Sequence, residues 1–112
     1  MSNGVKYPFG KADVRTVTTA TTINDTVSDQ MTYLKLSGNL TAATTINITP
    51  SGVLDGAELL IEIPCGGSAF NTTYGSTFVT SPGTTGVINK TKLVGFVYAN
   101  GKFVQKSEQT IN

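Results

Sequence analysis

The chain contains no histidine and no tryptophan, and Cys65 is its only cysteine. Without imidazole, proton transfer near neutral pH falls to seven scattered carboxylates, and metal chelation has neither imidazole nor a thiol pair to use. Charged residues make up only 13% of the chain, against about 25% in ordinary globular domains. The net charge of +1 exerts no long-range pull on nucleic acid or on an anionic membrane. No stretch approaches the roughly 20 apolar residues of a membrane helix, and residues 1–30 hold no apolar core of a signal peptide. These absences predict a non-enzymatic protein, made in the cytoplasm, with no catalytic, cofactor or metal site, no nucleic-acid partner and no membrane insertion.

What is abundant is threonine, about one residue in six, together with asparagine and glycine. Hydroxyls and amides build strands, turns and surfaces, so a binding or structural role leads. A chain of 112 residues forms one domain and buries roughly two-thirds of its unfolded surface. Weak charge combined with many β-formers favours association through strand edges and faces, so self-assembly is expected. Cys65, between Pro64 and Gly66, reads as a small apolar filler. Five Asn-x-Thr sequences, at Asn24, Asn39, Asn47, Asn71 and Asn89, read as strand-end and turn chemistry, because no secretion signal would expose them to the glycosylation machinery.

Residues 1–15 show neither helical periodicity nor alternation, yet carry Lys6, Lys11 and Arg15 around the cluster Tyr7, Pro8 and Phe9. Proline disfavours helix at the residue before it. An extended attachment arm over 1–15 is therefore expected, with Lys6, Tyr7, Phe9, Lys11 and Arg15 as its contacts, followed by a β-domain over 16–112. Within the β-domain, VTTATTI (17–23) is β-rich and the polar stretch NDTVSDQ follows. MTYLKL (31–36) sets Thr32, Leu34 and Leu36 against Met31, Tyr33 and Lys35.

Strict alternation continues further along. TTINIT (44–49) places Ile46 and Ile48 inward with Thr45, Asn47 and Thr49 outward, and AELLIEI (57–63) sets Leu59, Ile61 and Ile63 against Glu58, Leu60 and Glu62. Seven residues between Gly56 and Pro64 make a poor helix despite their helix-forming composition. The irregular stretch 65–86 is expected to hold short strands and long loops with Phe70, Tyr74 and Phe78 packed inward. An aromatic platform for a sugar, built from Phe70, Tyr74 or Tyr98, is the sharper alternative.

Asn100-Gly101, flanked by KLVGFVYA and KFVQK, predicts a two-residue type I′ hairpin, since both positions tolerate positive φ. Its register pairs Ala99 with Lys102, Tyr98 with Phe103, Val97 with Val104 and Phe96 with Gln105. Val94, Phe96, Tyr98 and Phe103 then share one face, and Leu93, Val97 and Val104 the other. A hairpin apolar on both sides is central in a sandwich or has one face closed by another subunit, so Leu93, Val97 and Val104 are candidate subunit contacts. Asp55 with Glu58, or Glu58 with Glu62, are the best acid-base candidates, and more simply the solvent face of a strand.

The succession of GNLT (38–41), TTINIT, a Pro/Gly loop, DGAELLIEI (55–63), the Gly/Thr/aromatic stretch and LVGFVYANGKFVQ (93–105) resembles β-domains in fibre and decoration proteins of tailed bacteriophages. Those domains share an ending of the type sFvydGtkw, for which GFVYANGKFV stands here, with Phe103 at the usual tryptophan. The resemblance spans about residues 34–106. It implies a virion structural protein, typically trimeric, that contacts capsid or tail subunits. The short chain, without collagen-like or coiled-coil repeats, points within that group to a capsid decoration or short head-fibre subunit. A receptor- or glycan-binding module of a tail fibre, contacting a cell-surface glycan, is the alternative. The expected fold is all-β: a small antiparallel sandwich or barrel-like domain with an extended N-terminal arm, assembled as a homotrimer.

Overall fold

A computed structural model describes residues 13–79 and 83–112. Nine strands follow in chain order: β1 (Asp13–Val17), β2 (Thr22–Val27), β3 (Met31–Leu36), β4 (Thr44–Pro50), β5 (Glu58–Pro64), β6 (Thr72–Tyr74), β7 (Phe78–Val79), β8 (Thr91–Ala99) and β9 (Lys102–Thr110). They form a six-stranded sheet of order β1-β3-β5-β8-β9-β7 and a three-stranded sheet of order β2-β4-β6.

The all-β expectation holds, but the antiparallel sandwich or barrel does not. From β1 to β6 the chain alternates between the sheets, and within each sheet successive strands pair in parallel and in register. In the larger sheet Val14 lies beside Tyr33 and Tyr33 beside Leu60, steps of 19 and 27 residues. In the smaller one Thr22, Thr45 and Thr73 line up with steps of 23 and 28. This is a β-solenoid of three coils, two strands per coil. Two-residue turns cannot join parallel neighbours, so each connection crosses to the other sheet first.

The coils are stacked at their corners as well as along their strands. Thr19, between β1 and β2, accepts a hydrogen bond from the Gly38 amide (2.9 Å) and donates to the Gly38 carbonyl (2.7 Å). The Leu40 amide in turn donates to the Pro64 carbonyl at 2.9 Å. VTTATTI is thus two half-strands around a corner. Within the polar stretch NDTVSDQ, Asn24–Val27 belong to β2.

After β5 the pattern changes. The β8-β9 hairpin adds to β5 in antiparallel fashion, and β7 pairs with β9 in parallel. The hairpin has the expected register from Ala99–Lys102 to Phe96–Gln105, with an irregularity between Gly95 and Phe96. Asn100 and Gly101 adopt φ of 52° and 85°, as a type I′ turn demands. The Asp55 carboxylate accepts the Asn100 amide at 3.0 Å, tying the turn to the β4–β5 loop.

One core lies between the sheets. Leu34, Ile46, Leu59, Ile61, Val94 and Phe96 are completely buried, and the three central strands alternate as the sequence predicts. Tyr74, Phe78, Phe96 and Phe103 form a chain of rings with centroids 5.0–5.4 Å apart. Aromatic contacts at these separations add about 0.5–1.5 kcal/mol each beyond area burial. Cys65 is buried, its Sγ 3.7 Å from the Phe70 carbonyl oxygen.

Candidate functional site: two outer faces and a charged end

The solenoid offers three surfaces of different chemistry. On the outer face of the six-stranded sheet, cross-strand registers line up Met31, Glu58, Val97, Val104 and Val79 in one row. The next row is Val14, Tyr33, Leu60, Gly95 and Ser107, and the third is Thr16, Lys35, Glu62, Leu93 and Gln109. Leu93, Val97 and Val104 are half-buried, on the side away from the buried Val94, Phe96 and Phe103, as the hairpin register requires. Val79 was not legible as their neighbour. It comes from the irregular stretch and extends the valine row, 54% exposed.

Charges frame this apolar row. Lys106 pairs with Glu58 at 3.1 Å, and the Tyr33 hydroxyl donates to Glu62 at 2.5 Å. The hydrogen bond to Glu62, aided by burial, raises the pKa of Tyr33. Glu58 and Glu62 stand four residues apart on one strand, about 13 Å, each committed to its own partner. Asp55 is held by the turn amide instead.

The outer face of the three-stranded sheet is uncharged. Thr22, Asn24 and Thr26 lie in register with Thr45, Asn47 and Thr49, and Thr73 continues the first column. Thr45 and Thr73 hydroxyls are 3.0 Å apart, and Asn47 donates to Asn24 at 3.1 Å. In the third coil Gly75 takes the place an asparagine holds above it, and any side chain there would run into Asn47 Oδ1. Sequence reading missed this array. Its signal was present as TINDT (22–26) and TINIT (45–49), a repeat at the interval of one coil. Two of the five Asn-x-Thr sequences are this ladder.

The third surface is the end of the stack formed by β1 and β2. Arg15 Nε and Nη2 donate to the two carboxylate oxygens of Asp25 at 2.8 and 2.7 Å, and Nη1 lies 3.7 Å from Asp13. The paired guanidinium holds the Asp25 carboxyl below the usual range, against the opposing effect of burial. Arg15 was expected to be an attachment residue of the arm. It belongs to β1 and spans the two sheets, so residues 13–15 are part of the β-domain. Lys6, Tyr7, Phe9 and Lys11 lie outside the described residues.

The candidate platform rings Phe70, Tyr74 and Tyr98 are all partly buried and packed against the core. Tyr74 has its hydroxyl 2.6 Å from that of Thr84 and its ring against Phe78 and Phe96, while Tyr98 leans on Phe103 at 5.0 Å. Burial raises the Tyr74 pKa strongly. Among the described residues no group of three His, Cys, Asp or Glu is placed to hold a metal ion. No protein-family model matches the chain, and no curated protein matches it.

Proposed function

We propose that this chain is a structural subunit of a bacteriophage virion, a capsid decoration or short head-fibre protein without enzymatic activity, that associates with copies of itself as a homotrimer. The observation that carries the reading is the six-stranded sheet with apolar groups on both faces. Its inner face fills the core, while on its outer face Val97, Val104 and Val79 form a continuous row across β8, β9 and β7, with Leu93 further along β8 on the same face. Exposed apolar patches on a strand-built scaffold favour association with another protein surface. Low net charge and the resemblance of residues 34–106 to phage fibre and decoration domains support the same reading. Lys6, Tyr7, Phe9 and Lys11 are the proposed contacts with capsid or tail subunits, and Arg15 is withdrawn from that set because Asp25 engages it.

The test is the solution mass of the protein by sedimentation, alongside the Val97→Lys, Val104→Lys double variant. The wild type is expected as a trimer and the variant as a folded monomer. A monomeric wild type sinks the assembly reading. Removing residues 1–12 should leave the number of copies in the assembly unchanged and abolish binding to the particle.

A second reading, a glycan-binding module, is favoured by the Thr/Asn face of β2, β4 and β6 rather than by the aromatic rings. Its hydroxyls and amides both donate and accept, and the ladder bonds hold them in place, which suits a neutral sugar chain. Binding of neutral oligosaccharides that is lost in Asn47→Ala would put this reading first.

A further inference from the structure

The inward positions of the inner strands are apolar or threonine: Thr32, Leu34 and Leu36 in β3, Thr44, Ile46 and Ile48 in β4, Leu59, Ile61 and Ile63 in β5. The first coil breaks the rule. Asp13 and Arg15 stand in register with inward Thr32 and Leu34, and Asp25 in register with inward Ile48. The two-pronged Arg15–Asp25 bond therefore crosses from one sheet to the other over the end of the hydrophobic core. Asp25 is only 13% exposed and Arg15 37%, so the pair covers the apolar side chains beneath it yet keeps one side in water.

The strands carrying this pair are the two edges of the stack. Among the described residues β1 pairs only with β3 and β2 only with β4, so both sheets end on the same side. The opposite end differs: Thr72 in β6 exchanges two 2.9 Å backbone hydrogen bonds with Thr84, and the larger sheet continues into the antiparallel hairpin. An unpaired edge is a template for another chain, and inward-pointing charges are one way to block it. A second copy pressed end to end on this one would have to strip water from two ion pairs, a cost that their mutual attraction does not reliably recover.

We propose that the Arg15–Asp25 pair, supported by Asp13, is a terminator of the coil stack, which keeps the β1 and β2 edges from pairing with the same edges of a second copy. The contact it prevents is isologous and closes at two copies, because the other end of the solenoid does not present matching edges. The consequence of removing it is a doubling of mass, not a fibre.

The experiment replaces both partners at once in the full chain, Arg15→Leu with Asp25→Leu, and measures β-content by circular dichroism and mass by sedimentation. A folded protein with twice the wild-type mass is expected. Arg15→Lys with Asp25→Glu, which keeps the charges, is expected to retain the wild-type mass. Arg15→Gln with Asp25→Asn removes charge at nearly constant shape and must also double, which covers the case in which the leucine pair unfolds the chain. A folded, uncharged variant with unchanged mass at the highest attainable concentration overturns the proposal, as does doubling in the charge-keeping control. Doubling is read relative to the wild type, so the result stands apart from whether the wild type itself is a trimer or a monomer.

Discussion

Thr32 and Thr44 are both inward-facing and buried, and replacing each with valine is expected to move stability in different directions. Thr32 Oγ1 is sealed in the core with no hydrogen-bond partner among the described residues, as is Thr72 Oγ1. Thr44 Oγ1 donates to the Ala42 carbonyl at 3.0 Å. An unsatisfied buried hydroxyl costs about 1–3 kcal/mol, and a typical satisfied bond contributes about 0.5–1.5 kcal/mol. The methyl that replaces either hydroxyl gains about 0.8 kcal/mol of burial. Thr32→Val should therefore stabilise by about 2–4 kcal/mol, while Thr44→Val falls between neutral and a loss of about 1 kcal/mol. Valine and threonine have similar shape and strand preference, so backbone effects cancel in the comparison. For a domain of this size 1 kcal/mol moves the melting temperature by roughly 4 °C. Thermal melts of the two variants beside the wild type make the measurement, supported by urea midpoints. A Thr32→Val protein that melts at or below Thr44→Val would show that the Thr32 hydroxyl has a partner, and the reasoning fails.

The turn predicts that Asn100→Val with Gly101→Val costs about 1–2 kcal/mol per position, because both φ values are positive and β-branched residues resist that region; an unchanged denaturation midpoint refutes it. On acidification, Asp25 has a folded pKa below its ordinary 3.8 because of Arg15, so the unfolded chain binds its proton first. The contribution of the pair is complete above that value and fades as pH falls through the lowered one; Asp25→Asn should flatten this part of a stability-versus-pH curve. At the alkaline end Tyr74 and Tyr33 have raised pKa values, so their contribution is intact below pH 10 or so, the ordinary phenol value, and declines above it. An ultraviolet titration should show the Tyr74 phenolate appearing only together with loss of the fold, and its reversible ionisation in the folded protein would contradict the burial that the structure describes.

Within a strand, the alternation of MTYLKL, TTINIT and AELLIEI was legible because side-chain direction has a period of two, whatever the strand later pairs with. The same holds for Asn100-Gly101, where a local demand for positive φ selects the residues and then sets the register of the whole hairpin. Leu93, Val97 and Val104 followed from that register as an outer face. Pairing between coils was not local. Whether β3 meets its neighbours in parallel depends on the intervening chain crossing to a second sheet, and no property of residues 31–36 alone records it. TINDT and TINIT, 23 residues apart in register, were the one linear trace of the solenoid.

Polarity misled where the compensating partner was distant in the chain. Asn24–Val27 read only as a polar stretch, and an inward Asp25 makes sense once Arg15 reaches it from the other sheet. The same contact turns Arg15 from a residue of a free arm into part of the domain. Tyr74 was read as packed inward with a sugar platform as the alternative, and β6 sets its ring against Phe78 and Phe96. Sequence by itself determined which side of each regular strand is apolar and where the tight turn falls, since both are set by neighbours along the chain. The tertiary structure alone decided which charge meets which and which polar face is left in water, because those contacts join residues brought together only when the coils stack.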